Sequence, residues 1–371
     1  MRPRNGLAQS RVLGETFHMD AVVMSAEGEV EVRQCPEPHT VAASDAVVKV
    51  TLAGICGSDL HIVAGRDRGC RMGTIMGHEF VGVVTEVGSQ VARFRPGDRV
   101  VAPFTVNCGQ CFFCQRRLPA RCERSAGFGF VTSEGRGLEG AQAEFVRVPF
   151  ADTSLLALPD RDHAGAPFED QDALFLGDIL STAYGAADAA CIVPGDVVAV
   201  VGCGPVGLLA IQAAELFQPA CVVAVDPCAY RRDKAAALGA LPCPPEQARA
   251  LCDDHTHGRG ADAVIEAVGT EGALTRALSL MRPGAIVSIA GYHTADTFSL
   301  PIQTAYDLNL TLKVGRANAR VHMETLLPKV LAGIFRPRAI ISHVLPLRQA
   351  VYGYEIFRER RDNAIKVLLT P

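Results

Sequence analysis

The stretch VVAVVGCGPVGLLAIQAAELF, residues 197–217, decides the fold. Five residues that are β-branched or alanine run into Gly202-x-Gly204-x-x-Gly207, and an apolar helical pattern follows at once. A glycine triplet of that spacing is common, and context gives it meaning. The first glycine makes the tight turn, the second lets backbone approach a pyrophosphate, and the third lets helix pack on strand. Pro205 suits the first helical position, and the helix start offers free N–H groups to an anion. The next strand, ACVVAVD, ends at Asp226, 24 residues after Gly202. A carboxylate there can accept both hydroxyls of an adenosine ribose and would repel a 2′-phosphate, so NAD is favoured over NADP. Arg231 is read as a contact at the ribose edge and Arg232 as a solvated helix charge.

Outward from this stretch, strands and helices alternate: YRRDKAAALGA, ADAVIEAVG, GALTRALSLM and AIVSIAG follow in turn. That order predicts a parallel, doubly wound sheet with crossover helices. Upstream, from about Met19 to Pro159, short β-rich runs such as AVVKVTLAG, EFVGVVTEVG and AEFVRVP are punctuated by Gly and Pro, which predicts a β-dominated domain. The fold class is therefore α/β plus β. Beyond Arg320 a helical segment, two short strands (ISHVLP and AIKVLLT) and a helix between them form a tail too short to stand alone, expected to pack back on the first domain. The expected division is an N-terminal extension at 1–18, a catalytic domain at 19–180, a cofactor domain at 181–320 and a returning segment at 321–371.

With 371 residues, 36 Lys+Arg and 40 Asp+Glu, the chain is long enough for two or three cores and carries no charge block that would attract nucleic acid or an anionic membrane. The longest uncharged run, Val197 to Ala214, reaches the length of a membrane span, but its glycines and proline divide it into two elements. Thirteen cysteines, an odd number in a long chain without a secretory leader, read as reduced thiols and a cytoplasmic setting. An organellar leader within residues 1–18 stays open.

Four of those cysteines, Cys108, Cys111, Cys114 and Cys122, stand within fifteen residues. Four thiolates close a tetrahedral Zn²⁺ shell, which implies a structural metal in a lobe at about 104–125. A second constellation is scattered: Cys56 in AGICGSDLH, His78 and Glu79 in GHE, and Asp178 in FLGDILSTAYGA. One thiolate, one imidazole and one carboxylate leave a fourth zinc position open for water or an alcohol, whose proton the metal would acidify. Two zinc ions per chain are expected. The other cysteines, Cys35, Cys70, Cys191, Cys203, Cys221, Cys228, Cys243 and Cys252, are read as buried small hydrophobes or inert thiols.

These residues carry a resemblance to the zinc-dependent medium-chain alcohol dehydrogenases, from Met19 to Pro371. GHEFVGVVTEVGSQV, residues 77–91, is similar to that family's pattern G-H-E-x-x-G-x5-G-x2-V, with Gly82 and Gly88 in place. The resemblance implies a GroES-like β-rich catalytic domain beside a Rossmann cofactor domain. It implies Cys56, His78 and Asp178 as ligands of the catalytic zinc, the Asp being similar to a formaldehyde-dehydrogenase-like branch, with Glu79 as the motif carboxylate beside the metal. Ser58 and His61 correspond to the hydroxyl and imidazole that relay the alcohol proton outward. By the same resemblance Phe104, with Ser58, lines the substrate pocket, Thr182 and Val206 abut the nicotinamide, Val268 belongs to the cofactor site, and Lys366 sits near the pyrophosphate. LPIQTAYDLNLTLKVG, ending at Gly315, resembles a subunit-pairing edge strand, which implies a homodimer or homotetramer.

The expected reaction is reversible hydride transfer from a small alcohol to NAD⁺, giving an aldehyde or ketone. A formaldehyde or polyol dehydrogenase on the same scaffold is the alternative. A non-catalytic relative would lack one of Cys56, Ser58, His61, His78 or Asp178, and all five are present.

Overall fold

The computed structural model describes residues 17–67 and 69–371, so most of the expected N-terminal extension lies outside the described residues. Six parallel strands form one sheet in the order Leu241–Cys243, Cys221–Val225, Val197–Val201, Ala261–Glu266, Met281–Ile289 and Thr311–Val314. The chain starts in the middle, winds outward to one edge, then crosses to build the other half. The reversal falls beside Val197–Val201, where ligands enter sheets of this kind.

The unbroken apolar run VVAVV follows from burial on both faces. Val198 and Val200 face one core with the helices Ile179–Ala189 and Pro205–Glu215. Val197, Ala199 and Val201 face another core with the helices Ala248–Thr256 and Glu271–Leu280. Gly202 turns the chain with φ +95°, and a Cβ on Gly207 would stand 1.7 Å from the Gly202 carbonyl oxygen. No bulkier residue fits there without moving helix off strand. The uncharged run thus divides at the glycines, and no described helix is long and apolar enough to cross a membrane.

The second sheet is mostly antiparallel and has seven strands. Its main path runs Ile341–Pro346, Lys366–Thr370, Ala46–Ile55, Glu79–Val87, Arg99–Val101, Leu156–Ala157, and Phe145–Val148 also pairs with Ala46–Ile55. The C-terminal strand pairs with the β-rich part: Val367 stands opposite Ile55. One apolar core joins the two sheets, because Leu52, Val81 and Val101 from the second pack in the same cluster as Val198, Val200 and Ile265 from the first. The helix Ile179–Ala189 lies within that shared core, and the division expected at residue 180 falls inside it.

Among the elements absent from the sequence reading are the short strand Leu241–Cys243, the helix Ala248–Thr256 and the helix Ile302–Asp307, which confines the expected edge strand to Thr311–Val314. Pro244 and Pro245 mask the start of the helix Ala248–Thr256, since they mark a loop as readily as a first turn. Cys191 is a correction: it is exposed at φ +52°, just after the helix Ile179–Ala189, whereas Cys203, Cys243 and Cys252 are buried as expected.

Candidate metal centre and nucleotide cleft

The catalytic constellation is assembled at the meeting of three elements. Cys56 ends the strand Ala46–Ile55 and begins the helix Gly57–Val63; His78 directly precedes the strand Glu79–Val87; Asp178 begins the helix Ile179–Ala189. Their ligand atoms all lie within 4.8 Å of one another. Cys56 Sγ is 3.4 Å from Asp178 Oδ2, and His78 Nε2 is 3.3 Å from the same oxygen. Ligands on one tetrahedral zinc, at bond lengths of about 2.0–2.3 Å, stand roughly 3.3–3.8 Å apart. The residues present therefore fit the ion.

The electrostatics agree with that fit. Burial, with the Asp178 and Glu79 charges, raises the Cys56 thiol. Burial opposes charge on His78, but Asp59, Cys56 and Asp178 overcome it and raise the imidazole well above its ordinary value. A bound cation reverses this balance by displacing the protons. Asp59, buried in the first turn of Gly57–Val63, faces the imidazole as an ion-pair partner: its Oδ1 is 3.1 Å from His78 Nδ1, though not aligned as a hydrogen bond, and its Oδ2 accepts the Cys56 backbone N–H at 2.9 Å. That contact commits Nδ1 and leaves Nε2 toward the metal position, the usual arrangement of a metal-binding histidine. Nothing in the isolated sequence marks Asp59 apart from its place three residues after Cys56.

Ser58 Oγ lies 3.1 Å from His78 Nε2, beside the ligand atoms. His61 stands one helical turn along from Ser58 on the same face. Its Nδ1 is buried without a hydrogen-bond partner, and burial together with Arg66 lowers its pKa below the ordinary value. Tyr292, from beyond the strand Met281–Ile289, packs edge-on against the His61 ring and donates to Asp67 Oδ2 at 2.7 Å, closing the outer end of this row. Phe104 is half-buried beside Asp178, its N–H donating to the Gly177 carbonyl. Thr182 Oγ1 is 3.4 Å from Asp178 Oδ1, so it shares the metal side of the helix.

Lys366 is placed differently from the sequence expectation. Its ammonium is buried, donating to the Ile55 carbonyl and pairing with Glu79 Oε2. The pairing of Lys366–Thr370 with Ala46–Ile55 carries it there. Burial pushes Glu79 up to about 7, against the opposing pull of Lys366. Glu79 Oε1 has no hydrogen-bond partner.

The four cysteines also converge within 4.8 Å. Cys111 Sγ is 3.6 Å from Cys114 Sγ, and Cys122 Sγ accepts backbone N–H groups from Cys108 and Arg124, each at 3.3 Å. Burial resists ionisation of Cys108, yet the backbone N–H groups of Gln110 and Cys111 bring its thiol down to about 6. Four thiolates with donated N–H bonds fit a closed zinc shell.

At the glycine turn Asp226 is buried, with Oδ2 accepting from Cys203 N and Oδ1 from Cys228 N, both at 2.8 Å. Arg231 lies over Gly204. Arg232 is a correction: its guanidinium donates to the carbonyls of Asp226 and Pro227 at 2.9 Å, so it braces the strand end. Val206, in the first turn of the helix after the glycines, is half-buried against the core, and Val268 sits against Gly202. Glu266, buried at its strand end, holds the neighbouring turn by accepting from Val268 N and Gly269 N.

Two family models match the chain: the alcohol dehydrogenase GroES-like domain over residues 42–160 and the zinc-binding dehydrogenase domain over residues 205–330. Together with the two metal-ligand clusters, these matches define a zinc-dependent oxidoreductase. The chain belongs to the zinc-dependent medium-chain alcohol dehydrogenase family. It is 33% identical to the uncharacterized zinc-type alcohol dehydrogenase-like protein AdhB of Bacillus subtilis, over 95% of this chain and all of that one. The solved alcohol dehydrogenase TADH from Thermus sp. ATN1 is 40% identical, with a TM-score of 0.88 over 95% of this chain and 99% of that one. Two structures, each 26% identical, hold nucleotides. An Escherichia coli CFT073 alcohol dehydrogenase (rspB) is complexed with NADH, with TM-score 0.83 and coverage of 95% and 99%. A zinc-binding dehydrogenase of Sinorhizobium meliloti 1021 is bound to NADP, with TM-score 0.81 and coverage of 96% and 100%.

Proposed function

We propose that this protein is an NAD-dependent zinc alcohol dehydrogenase that moves hydride reversibly between a small alcohol and the nicotinamide. The observation that carries this is the convergence of Cys56, His78 and Asp178 with the Ser58 hydroxyl 3.1 Å from His78 Nε2. Zinc held by those three side chains supplies Lewis acidity that makes an alcohol hydroxyl more acidic. Ser58 Oγ accepts the alcohol proton as it gives its own to the next acceptor outward. His61, kept neutral near pH 7 by burial and by Arg66, takes up that proton. Its Nδ1, without a hydrogen-bond partner among the described residues, is uncommitted and open to that proton. Phe104 and Thr182 flank Asp178 and narrow the substrate side.

Asp226 supports NAD over NADP. Both its oxygens are already fixed by backbone N–H groups, so the carboxylate cannot swing away from a 2′-phosphate. Arg231 over Gly204 is suited to the cofactor's phosphates or the adjoining ribose edge. Pairing of two copies through the edge strand Thr311–Val314 would cover Val314, Ile302 and Tyr306, all strongly exposed in the single chain.

The test is NADH formation at 340 nm across primary alcohols, secondary alcohols, formaldehyde and polyols, run beside Ser58→Ala. Turnover on one class, lowered by a factor on the order of 10²–10⁴ in Ser58→Ala, is the expected result. Turnover unchanged in Ser58→Ala would remove the relay from the reading.

A further inference from the structure

Behind Asp59 the hydrogen bonds continue to two residues that belong to distant parts of the chain. Gln142 Nε2 donates to Asp59 Oδ2 at 3.1 Å and to the Gly54 carbonyl at 3.0 Å. Its Oε1 accepts from the Tyr354 hydroxyl at 2.8 Å. All of these groups are buried.

The orientation of this amide is forced. Asp59 Oδ2 and the Gly54 carbonyl can only accept, so the amide nitrogen must face them, and the amide oxygen must then face Tyr354. Tyr354 has to donate, and burial holds its hydroxyl protonated, well above its ordinary pKa. Neither partner can rotate away without leaving buried groups unpaired, a cost that fixes such networks in one arrangement. The backbone of Gln142 is pinned as well: its carbonyl accepts from Val22 N at 2.8 Å, and its N–H donates to the Met76 carbonyl at 2.9 Å. The Gly77-His78-Glu79 motif is shaped by the same side chain. Gly77 has φ +92°, and a Cβ on it would meet Gln142 Cγ at 2.4 Å. The glycine before the metal-binding histidine makes room for the residue that holds that histidine's orienting carboxylate.

We propose that Gln142 and Tyr354 are positioning residues for the Cys56, His78 and Asp178 site, so that metal retention there depends on the seating of the helix Ala350–Glu359. This rests on the metal-centre reading above. Without the amide, Asp59 loses the only side-chain donor on Oδ2 among the described residues and is freer to leave His78 Nδ1. Tyr354 acts one step further out, through the amide alone. The helix that carries it is therefore coupled to the metal without touching it.

The test follows zinc release from the loaded full-length enzyme to a chromogenic chelator, with the four-cysteine zinc as internal reference. Gln142→Leu, acting through Asp59, is expected to release the three-ligand zinc up to about 10-fold faster, the lower end of the effect of losing a metal ligand's own partner, with the reference phase unchanged. Tyr354→Phe, nearly isosteric, should give a smaller acceleration, and the double variant should be no faster than Gln142→Leu. In the cobalt-substituted protein the visible ligand-field bands should move in both variants. Wild-type release rates and bands in Tyr354→Phe and Gln142→Leu would overturn the proposal, as would additive effects in the double variant. If Gln142→Leu does not fold, Tyr354→Phe alone decides by both readouts. Zinc content in Cys56→Ala equal to that of the wild type would refute the metal-centre reading, and the proposal with it.

Discussion

Lys366→Met removes an ammonium from the interior while keeping most of the apolar stem. Lys366 is 1% exposed and Glu79 0%, so the carboxylate left behind is sealed from water, and among the described residues no other cation pairs with it directly. Breaking a buried pair from one side costs about 3–5 kcal/mol. Glu79 has an escape, since it can take up a proton. With Lys366 present it already sits at about 7, and without that charge it moves higher still. Below that value the loss reduces to unmade hydrogen bonds on Glu79 and the Ile55 carbonyl, about 1–3 kcal/mol. The sign follows directly. A carboxyl raised above its ordinary 4.5 in the folded state withdraws stability as pH climbs from 4.5 through the raised value. Lys366→Met should therefore lose least near about pH 5.5 and most near about pH 8, the gap growing by at most about 1.4 kcal/mol per pH unit. The double variant Lys366→Met/Glu79→Gln should recover most of the loss. The chain has no tryptophan, so denaturant unfolding is followed by circular dichroism. A variant as stable as wild type at both pH values, but with weakened NADH binding, would refute the reasoning and put the ammonium at the pyrophosphate.

Three further outcomes are expected. The acid limb of alcohol oxidation reports His61 and falls below its ordinary 6.5; Arg66→Ala, by removing a positive neighbour, should move that limb to higher pH, and a limb that stays put would exclude His61 as the proton acceptor. Asp226→Asn keeps one acceptor for the backbone but loses the charge, so the ratio of NAD to NADP kcat/KM should fall by about tenfold or more, and an unchanged ratio would count against the ribose reading. Cys111→Ser should lower the zinc content by one per chain and destabilise the lobe, as measured by metal analysis and limited proteolysis; loss of both zinc ions would show that the two sites are not independent.

What the sequence discloses here depends on how far a signal reaches along the chain. The glycine turn is local: strand, glycines, helix and Asp226 lie within thirty residues and obey one geometry. The four cysteines are local too. The three-ligand site is legible only as residue types at separated places, because the strands and the helix that gather them are set by pairing across the fold. Lys366 shows the limit. As a lone lysine near the chain end it fits a phosphate as well as a carboxylate, and the antiparallel placement of Val367 against Ile55 decides for Glu79. Gln142 and Tyr354 stand 212 residues apart and carry no motif of their own, so the network behind Asp59 is visible only in three dimensions. The exposed Cys191 and the bracing Arg232 fail for the same reason, since exposure and carbonyl partners are tertiary facts.

The most direct test of the central claim pairs metal content with turnover in one sample. Wild-type protein is expected to hold about two zinc per chain and to form NADH from an alcohol. Cys56→Ser should then hold about one and form almost none, while zinc stripped from the wild type and restored should bring activity back in proportion. Turnover that persists in Cys56→Ser, or that does not follow the zinc restored, would contradict the account.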